Sequence, residues 1–335
     1  MVTTRTKLPS KRIVADFGNG YTKVIDTKGN LHVIPSMVAF ITDRDKYPHC
    51  DIFDFVKSKA LETIPTATWI CGNDAREYAP NSLVRVGEFA RSEGKQMLAL
   101  NLLTPFFDTK DCDYEIVASV PDVTIQGQAL KEALIGTHTI KAGGKQFTAR
   151  ITSVTVQSEG FGAAYYAISK GHAPLGKRTA TFDIGDGTFI LSVFNDKGKE
   201  IDEMRRVLPE GGCNSLYNAI AEHGDIKRMF NGAIKAEFVE QALREHLANP
   251  GSAFLIDSFD ATNLYSEVKK VWFTRLFNTM KSTLSPIKTQ IGAVVAFGGG
   301  VGLVKHELGN VPKMLIEPDY QTVSVSGLSL YASKK

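Results

Sequence analysis

The sequence predicts an α/β fold duplicated into two similar domains. Three observations carry that prediction. The pattern Asp-x-Gly-polar-Gly occurs twice, as Asp16-Phe17-Gly18-Asn19-Gly20 and as Asp183-Ile184-Gly185-Asp186-Gly187. Each copy lies between β-favouring runs, residues 12–16 and 21–26 in one, 179–183 and 188–194 in the other, so each reads as a hairpin. A polar turn follows each hairpin, at 26–30 and 195–199, and then another apolar run, at 31–40 and 201–207. Each half therefore reads as a three-stranded meander that begins with an acidic, glycine-rich turn.

A single Asp-Gly hairpin is ordinary; its repetition is informative. Asp16 and Asp183 sit at strand ends, and the glycines leave the turn backbone bare, so that N–H groups can approach a phosphate. Two such turns suggest a clamp on a nucleoside triphosphate with Mg²⁺, the carboxylates suiting the hard cation through waters and the amides the phosphate oxygens.

The length, 335 residues, allows two domains. We expect domain I at 1–160, with a smaller insertion at about 41–113 and a C-terminal helix, 320–335, packing back on it. Domain II is expected at 161–319, with a helical subdomain at about 210–285. Apolar content of 43% and charged content of 22% are those of a soluble globular chain. A net charge of +3 gives no support for direct nucleic-acid binding. Cys50, Cys71, Cys112 and Cys213 are scattered without metal spacing and read as free thiols of a reducing compartment. No signal peptide and no membrane-spanning apolar run is evident, so the expectation is a cytoplasmic protein.

In chain order, residues 1–10 read as a polar tail. Lys23 follows the first turn, where it can reach a phosphate or serve as a solvated strand charge. Helices are expected at 51–61 and 88–103, and a strand at 67–71. Residues 114–120 read as a strand, 126–135 as a helix, and Gly143-Gly144 as a turn into a strand over 145–156. The strand ending at Gln157 delivers Ser158-Glu159-Gly160, and an Ala-rich helix follows at 161–169. Glu159 can orient a water attacking a γ-phosphate, or simply complement the helix dipole with Ser158 as N-cap. GHAPLGK at 171–177 misses a Walker A loop: Arg178 replaces the hydroxyl residue, and a helix precedes where a strand is required. It reads as the linker.

In the second half, Gly211-Gly212 precede a helix at 214–222 and admit either a sugar or a plain turn. Helices follow at 236–248 and 262–284, the latter with Leu264, Val268, Val271, Trp272, Leu276 and Met280 as a core stripe. A buried-type strand at 292–297 runs into Gly298-Gly299-Gly300 and a helix at 303–308, an arrangement that cradles nucleotides. A strand at 313–316 and a helix at 323–332 close the chain.

This order of motifs resembles the actin-like (ribonuclease H-like) ATPase superfamily over nearly the whole chain. Asp16 through Lys23 looks like the first phosphate motif, Gln157 through Ala167 the first connecting helix, and Asp183 through Thr188 the second phosphate motif. Phe297-Gly298-Gly299-Gly300 looks like the adenosine motif and Val325-Ser326-Gly327-Leu328 the second connecting helix. Within the superfamily the chain most resembles the plasmid-segregating actins of the ParM/StbA type, although Ser158 stands where many of these have Pro.

The resemblance implies an ATPase with a nucleotide cleft between its domains. Asp16 and Asp183 would hold hydrated Mg²⁺, and Glu159 would position the attacking water. Backbone amides of Gly18, Asn19, Gly20, Tyr21, Gly185, Asp186, Gly187 and Thr188 would bind phosphates, with Lys23 assisting. Gly298, Gly299 and Gly300, with Gly211 and Gly212, would border adenosine and ribose. ATP is implied, and GTP stays open because no base-contacting pair of eukaryotic actins is matched. The implied partners are further copies in a filament and a DNA-bound adaptor protein, with no direct nucleic acid and no membrane. A small-molecule kinase, a nucleotide-switched module and a cytoskeletal role other than plasmid partition remain open on the same fold.

Overall fold

The computed structural model describes residues 10–86, 93–249 and 251–334. The chain divides into two compact units, Met1–Tyr166 with Ser324–Lys335, and Ala167–Val323. The expected tail and residues 88–92 of the expected second helix lie outside the described residues, apart from Ser10.

The first unit contains, in chain order, β1 (Ser10–Phe17), β2 (Tyr21–Ile25), β3 (Leu31–Pro35), β4 (Met37–Phe40), β5 (Phe53–Lys57), β6 (Thr68–Cys71), α1 (Gly72–Tyr78), β7 (Leu83–Arg85), α2 (Glu93–Leu103), β8 (Cys112–Val120), α3 (Ile125–Leu134), β9 (Gly136–Ala142), β10 (Lys145–Ser158) and the start of α4 (Phe161–Ser169). Among the described residues its strands form one sheet in the order β3-β2-β1-β8-β10-β9-β5-β6-β4-β7. The centre is parallel, β8 pairing with β1 and β10, so three carboxyl ends lie side by side.

Alternation along β1 sends Ile13, Ala15 and Phe17 into a large core shared with α2 and α3. Val14 points to the other face and packs with Val117, Val325, Leu328 and Ala332. Those last three belong to the C-terminal helix, which therefore covers this face of the sheet.

Two expectations fail here. Residues 51–61 are a strand and a short 3₁₀ turn, not a helix. Phe53 and Phe55 stack on Trp69, a sheet contact that overrides local helix preference. The run 31–40 is also two strands, broken at Ser36: β3 pairs with β2, whereas β4 pairs with β6 and β7. The strand expected at 67–71 thus joins the central sheet through β5 and β9.

The second unit begins within α4 and holds β11 (Arg178–Ile184), β12 (Phe189–Phe194), β13 (Arg206–Leu208), α5 (Cys213–Ala221), α6 (Gly224–Met229), α7 (Ala236–Ala248), a small hairpin of β14 (Leu255–Ile256) and β15 (Phe259–Asp260), α8 (Thr262–Leu284), β16 (Ile291–Phe297), α9 (Val301–Gly309) and β17 (Met314–Ile316). The last helix, α10 (Val323–Ser333), returns the chain to the first unit. The sheet order is β13-β12-β11-β16-β17, again a meander beside parallel strands. Leu264, Trp272, Leu276 and Met280 of α8 are buried as expected. Val271 is not: it is 74% exposed, one helical step off the stripe.

Within the first unit, α4 and α10 touch backbone to backbone. A Cβ on Gly162 would collide with the Ser324 carbonyl, and one on Gly327 with the Gly162 carbonyl. Gly162→Ala or Gly327→Ala is expected to destabilise the protein by about 1–3 kcal/mol, the usual cost of overpacking. A shift in urea midpoint checks this.

Buried His138 gives an acid dependence. Its Nε2–H donates to the Leu134 carbonyl at 2.9 Å, and its Nδ1 lies 2.8 Å from Ser58 Oγ, an arrangement that suits the neutral ring. Burial pushes its pKa down. Stability tied to this group is complete above the ordinary histidine value and is lost as pH falls through it. The stability-against-pH slope below about pH 6.5 should flatten in His138→Gln, by up to about 1.4 kcal/mol per pH unit.

Candidate functional site

In the first unit, β1 ends with Asp16 and Phe17, and four residues, 18–21, the last of which opens β2, lead to Thr22, which faces Phe17 in register. The Asp16 side chain is only 10% exposed. Its Oδ2 lies 3.4 Å from Lys23 Nζ, the residue opposite it across the hairpin. Its Oδ1 accepts a 2.8 Å bond from Ser119 Oγ, the register partner of Asp16 on β8. Gly18 has no room for a side chain: a Cβ would lie 2.6 Å from the Tyr21 carbonyl oxygen.

The row continues across the sheet. Gln157 of β10 is in register with Ser119, so Asp16, Ser119 and Gln157 line three adjacent strand ends. Gln157 Nε2 donates to Tyr331 Oη of α10 at 3.1 Å. Glu159 follows two residues later, half-buried, and its N–H donates to the Val120 carbonyl at the end of β8. Gly160 turns the chain with φ +92° into α4. The unit thus brings Asp16, the 18–21 loop and Glu159 to the carboxyl ends of its parallel central strands, with Lys23 opposite Asp16 on β2; open α/β sheets bind ligands at such strand ends.

The second unit repeats the hairpin residue for residue. Ile184 faces Phe189, Asp183 faces Ile190, and the loop again has four residues, 185–188. Gly185 N–H closes it on the Thr188 carbonyl at 2.9 Å. The position equivalent to Lys23 is Ile190, an apolar residue. Its carbonyls are held from below: Gly185 O accepts from Cys213 N–H and Asp186 O from Asn214 N–H, at the start of α5.

Gly211 and Gly212 press against this hairpin. A Cβ on Gly211 would meet Phe189 Cβ at 2.6 Å, and one on Gly212 would enter the backbone of Asp186 and Thr188. Trp272 Nε1–H donates to both of their carbonyls, at 3.2 Å each. At both positions the chain packs too closely against the hairpin to admit a side chain. Burial pushes the Cys213 thiol up to about 12, which removes it as a nucleophile.

The triple glycine divides by role. Gly298 has φ +95°, and a Cβ there would crowd the Ile184 carbonyl and lie 2.6 Å from Asp183 Oδ1. Gly300 is closed in by Ile184 and by Cys213 Sγ. Gly299 alone of the three is exposed, and a Cβ there would meet nothing within 4 Å. It is the member that can meet a ligand. Because β11 and β16 are parallel with Asp183 beside Phe297, Asp183 and this glycine turn share one sheet edge.

Sequence reasoning missed Ser119 and Ser36, and it placed Trp272 in a core stripe without its hydrogen bonds to Gly211 and Gly212. Single serines in apolar runs gave no signal until strand pairing placed them. An open groove elsewhere in the first unit, bordered by Gly136 and Arg150, has its cation already paired with Asp113 at 2.6 Å. Among the described residues no helix is long and apolar enough to cross a membrane, and no group of three or more metal-ligating side chains occurs.

Comparison with known proteins agrees with this geometry. Residues 15–162 match the family model of the N-terminal domain of actin-like proteins. No curated protein matches the sequence. Solved structures match almost end to end. An archaeal actin homologue, Ta0583, superposes with TM-score 0.78 at 17% identity, covering 97% of this chain and 99% of that one. A 15-stranded ParM filament from Clostridium botulinum gives 0.75 at 18%, covering 98% and 100%. Bacillus thuringiensis ParM with ATP gives 0.68 at 17%, covering 98% and 99%. The fold is actin-like.

The glycine geometry makes a sharp test. Gly298→Ala should destabilise by about 1–3 kcal/mol through strain and overpacking, whereas Gly299→Ala should stay within about 0.5 kcal/mol of wild type. Urea denaturation of the two variants side by side reads the difference.

Proposed function

We infer that this actin-like protein is a nucleotide-dependent, filament-forming ATPase that segregates plasmid DNA. The observation that carries the reading is the repeated hairpin: in each unit a carboxylate stands two residues before a four-residue, glycine-bearing stretch. One carboxylate per loop suits Mg²⁺, which keeps most of its waters and is completed by substrate phosphates. Asp16 and Asp183 would hold that hydrated ion, which lends charge stabilisation to the phosphates. The loop amides would bind the phosphate oxygens, with Lys23 turning from Asp16 towards them. Gly299 offers its bare backbone to the nucleoside.

Glu159, two residues past Gln157 at the carboxyl end of β10, would orient a water for attack on the γ-phosphorus. The water oxygen bonds to phosphorus, the bond to the β–γ bridging oxygen breaks, and the water proton passes to the Glu159 carboxylate. ADP and phosphate leave. Hydrolysis in this scheme loosens filaments assembled in the ATP state. Support for polymerisation comes from the ParM filament and from an Alp12 filament of the same fold. Support for the nucleotide comes from the ADP complex of the archaeal homologue and from ParM with ATP. GTP is the alternative substrate. A DNA-bound adaptor protein in the cytoplasm would link filament to cargo, in keeping with the balanced net charge of +3.

The test is high-speed sedimentation with light scattering in ATP, ADP and no nucleotide. ATP-driven pelleting, with phosphate release preceding loss of scattering, is expected. A chain that binds ATP yet stays soluble at every concentration would refute the polymer and direct the search to a phosphoryl acceptor. Glu159→Ala should bind ATP, hydrolyse it about 10²–10⁴-fold more slowly and give persistent filaments. Asp183→Ala should lose Mg²⁺-dependent affinity.

A further inference from the structure

A loop that binds phosphate through backbone N–H groups must hold its peptide planes in place beforehand, or binding energy is spent ordering them. In the 18–21 loop that task falls to Ser36, the residue that splits the apolar run between β3 and β4. Its hydroxyl donates to the Gly18 carbonyl at 2.6 Å. Its backbone N–H donates to the Gly20 carbonyl at 2.9 Å, and its own carbonyl accepts from Val86 N–H at 3.0 Å. Ser36 is thus pinned on both sides while it grips the loop at two points.

The proton order follows from counting. A serine hydroxyl has one hydrogen, and Ser36 spends it on Gly18. Thr22 Oγ1, 2.8 Å from Ser36 Oγ, must therefore be the donor of that contact. The chain runs Thr22 to Ser36 to Gly18, each bond polarising the next. Thr22 is 0% and Ser36 1% exposed, so no bulk water can replace either hydroxyl. In a trans peptide, C=O and N–H point in opposite directions. With the Gly18 carbonyl drawn towards buried Ser36, the Asn19 N–H points to the loop's open side.

We propose that Ser36 is a positioning residue for nucleotide binding: its hydroxyl, oriented by Thr22, fixes the Gly18–Asn19 peptide so that the Asn19 N–H faces the phosphates of a nucleoside triphosphate. The proposal rests on ATP binding at this loop. The second loop supplies a contrast, because its carbonyls are held by backbone N–H groups of Cys213 and Asn214 and need no side-chain hydroxyl.

The experiment is calorimetric titration of the full chain with Mg²⁺-ATP and, separately, AMP, which lacks the phosphates in question. Ser36→Ala should weaken ATP about tenfold, the equivalent of one hydrogen bond, and leave AMP within about twofold. Thr22→Val, nearly isosteric, should weaken ATP about threefold, Thr22→Ser should restore it, and the double variant should be no weaker than Ser36→Ala alone. Unchanged ATP affinity in Ser36→Ala, or equal losses for ATP and AMP, would overturn the positioning role. Should Ser36→Ala fail to fold, unchanged ATP affinity in Thr22→Val overturns it instead. A wild-type chain that binds no ATP would overturn the nucleotide reading itself, and the proposal with it.

Discussion

The register of two parallel strand ladders is the constraint on which the candidate site depends. Side chains alternate across a strand, so a slip of one residue would turn every site group to the opposite face. Pairing of β1 with β8 sets Asp16 beside Ser119, and pairing of β8 with β10 sets Ser119 beside Gln157. Apolar packing enforces that register. Ile13, Ala15 and Phe17 belong to the large core, which leaves Val14 and Asp16 on the face covered by α10. In the second unit Ala180, Phe182 and Ile184 do the same for Asp183.

Close backbone approach is the second theme. Gly18, Gly212 and Gly298 sit where a Cβ would strike nearby backbone, Gly300 where it would strike the Ile184 and Cys213 side chains, and Gly162 and Gly327 let α4 and α10 meet. Glycine here serves mainly to bring protein backbone against protein backbone. Gly299 is the exception, because its open side meets solvent. A run of three glycines in sequence thus performs two jobs, one of holding the turn and one of leaving room.

Carbonyl anchoring links the two loops to their surroundings by different means. Ser36 and Thr22 grip the first, and the start of α5 grips the second, with Trp272 fastening Gly211 and Gly212 behind it. Equivalent turns therefore respond differently to substitution, since the Gly18 carbonyl is held by a buried hydroxyl and the Gly185 and Asp186 carbonyls by backbone N–H groups.

The duplicated Asp-x-Gly-polar-Gly hairpins, the helix at 161–169, the amphipathic α8 and the strand–glycine–helix near 298 were legible in the sequence. Their signals are local: alternation, turn chemistry and helical period. Residues 51–57 were not legible, because only the stack of Phe53 and Phe55 on Trp69 makes that segment a strand. Nor was the break at Ser36, which a continuous apolar run concealed. Sequence alone determined which residue types bear the chemistry and in what order they come. Tertiary structure decided which hydroxyls touch Asp16 and Gly18 and which glycine stays open. Those contacts join residues up to 103 positions apart, and only strand pairing brings such residues within hydrogen-bond reach.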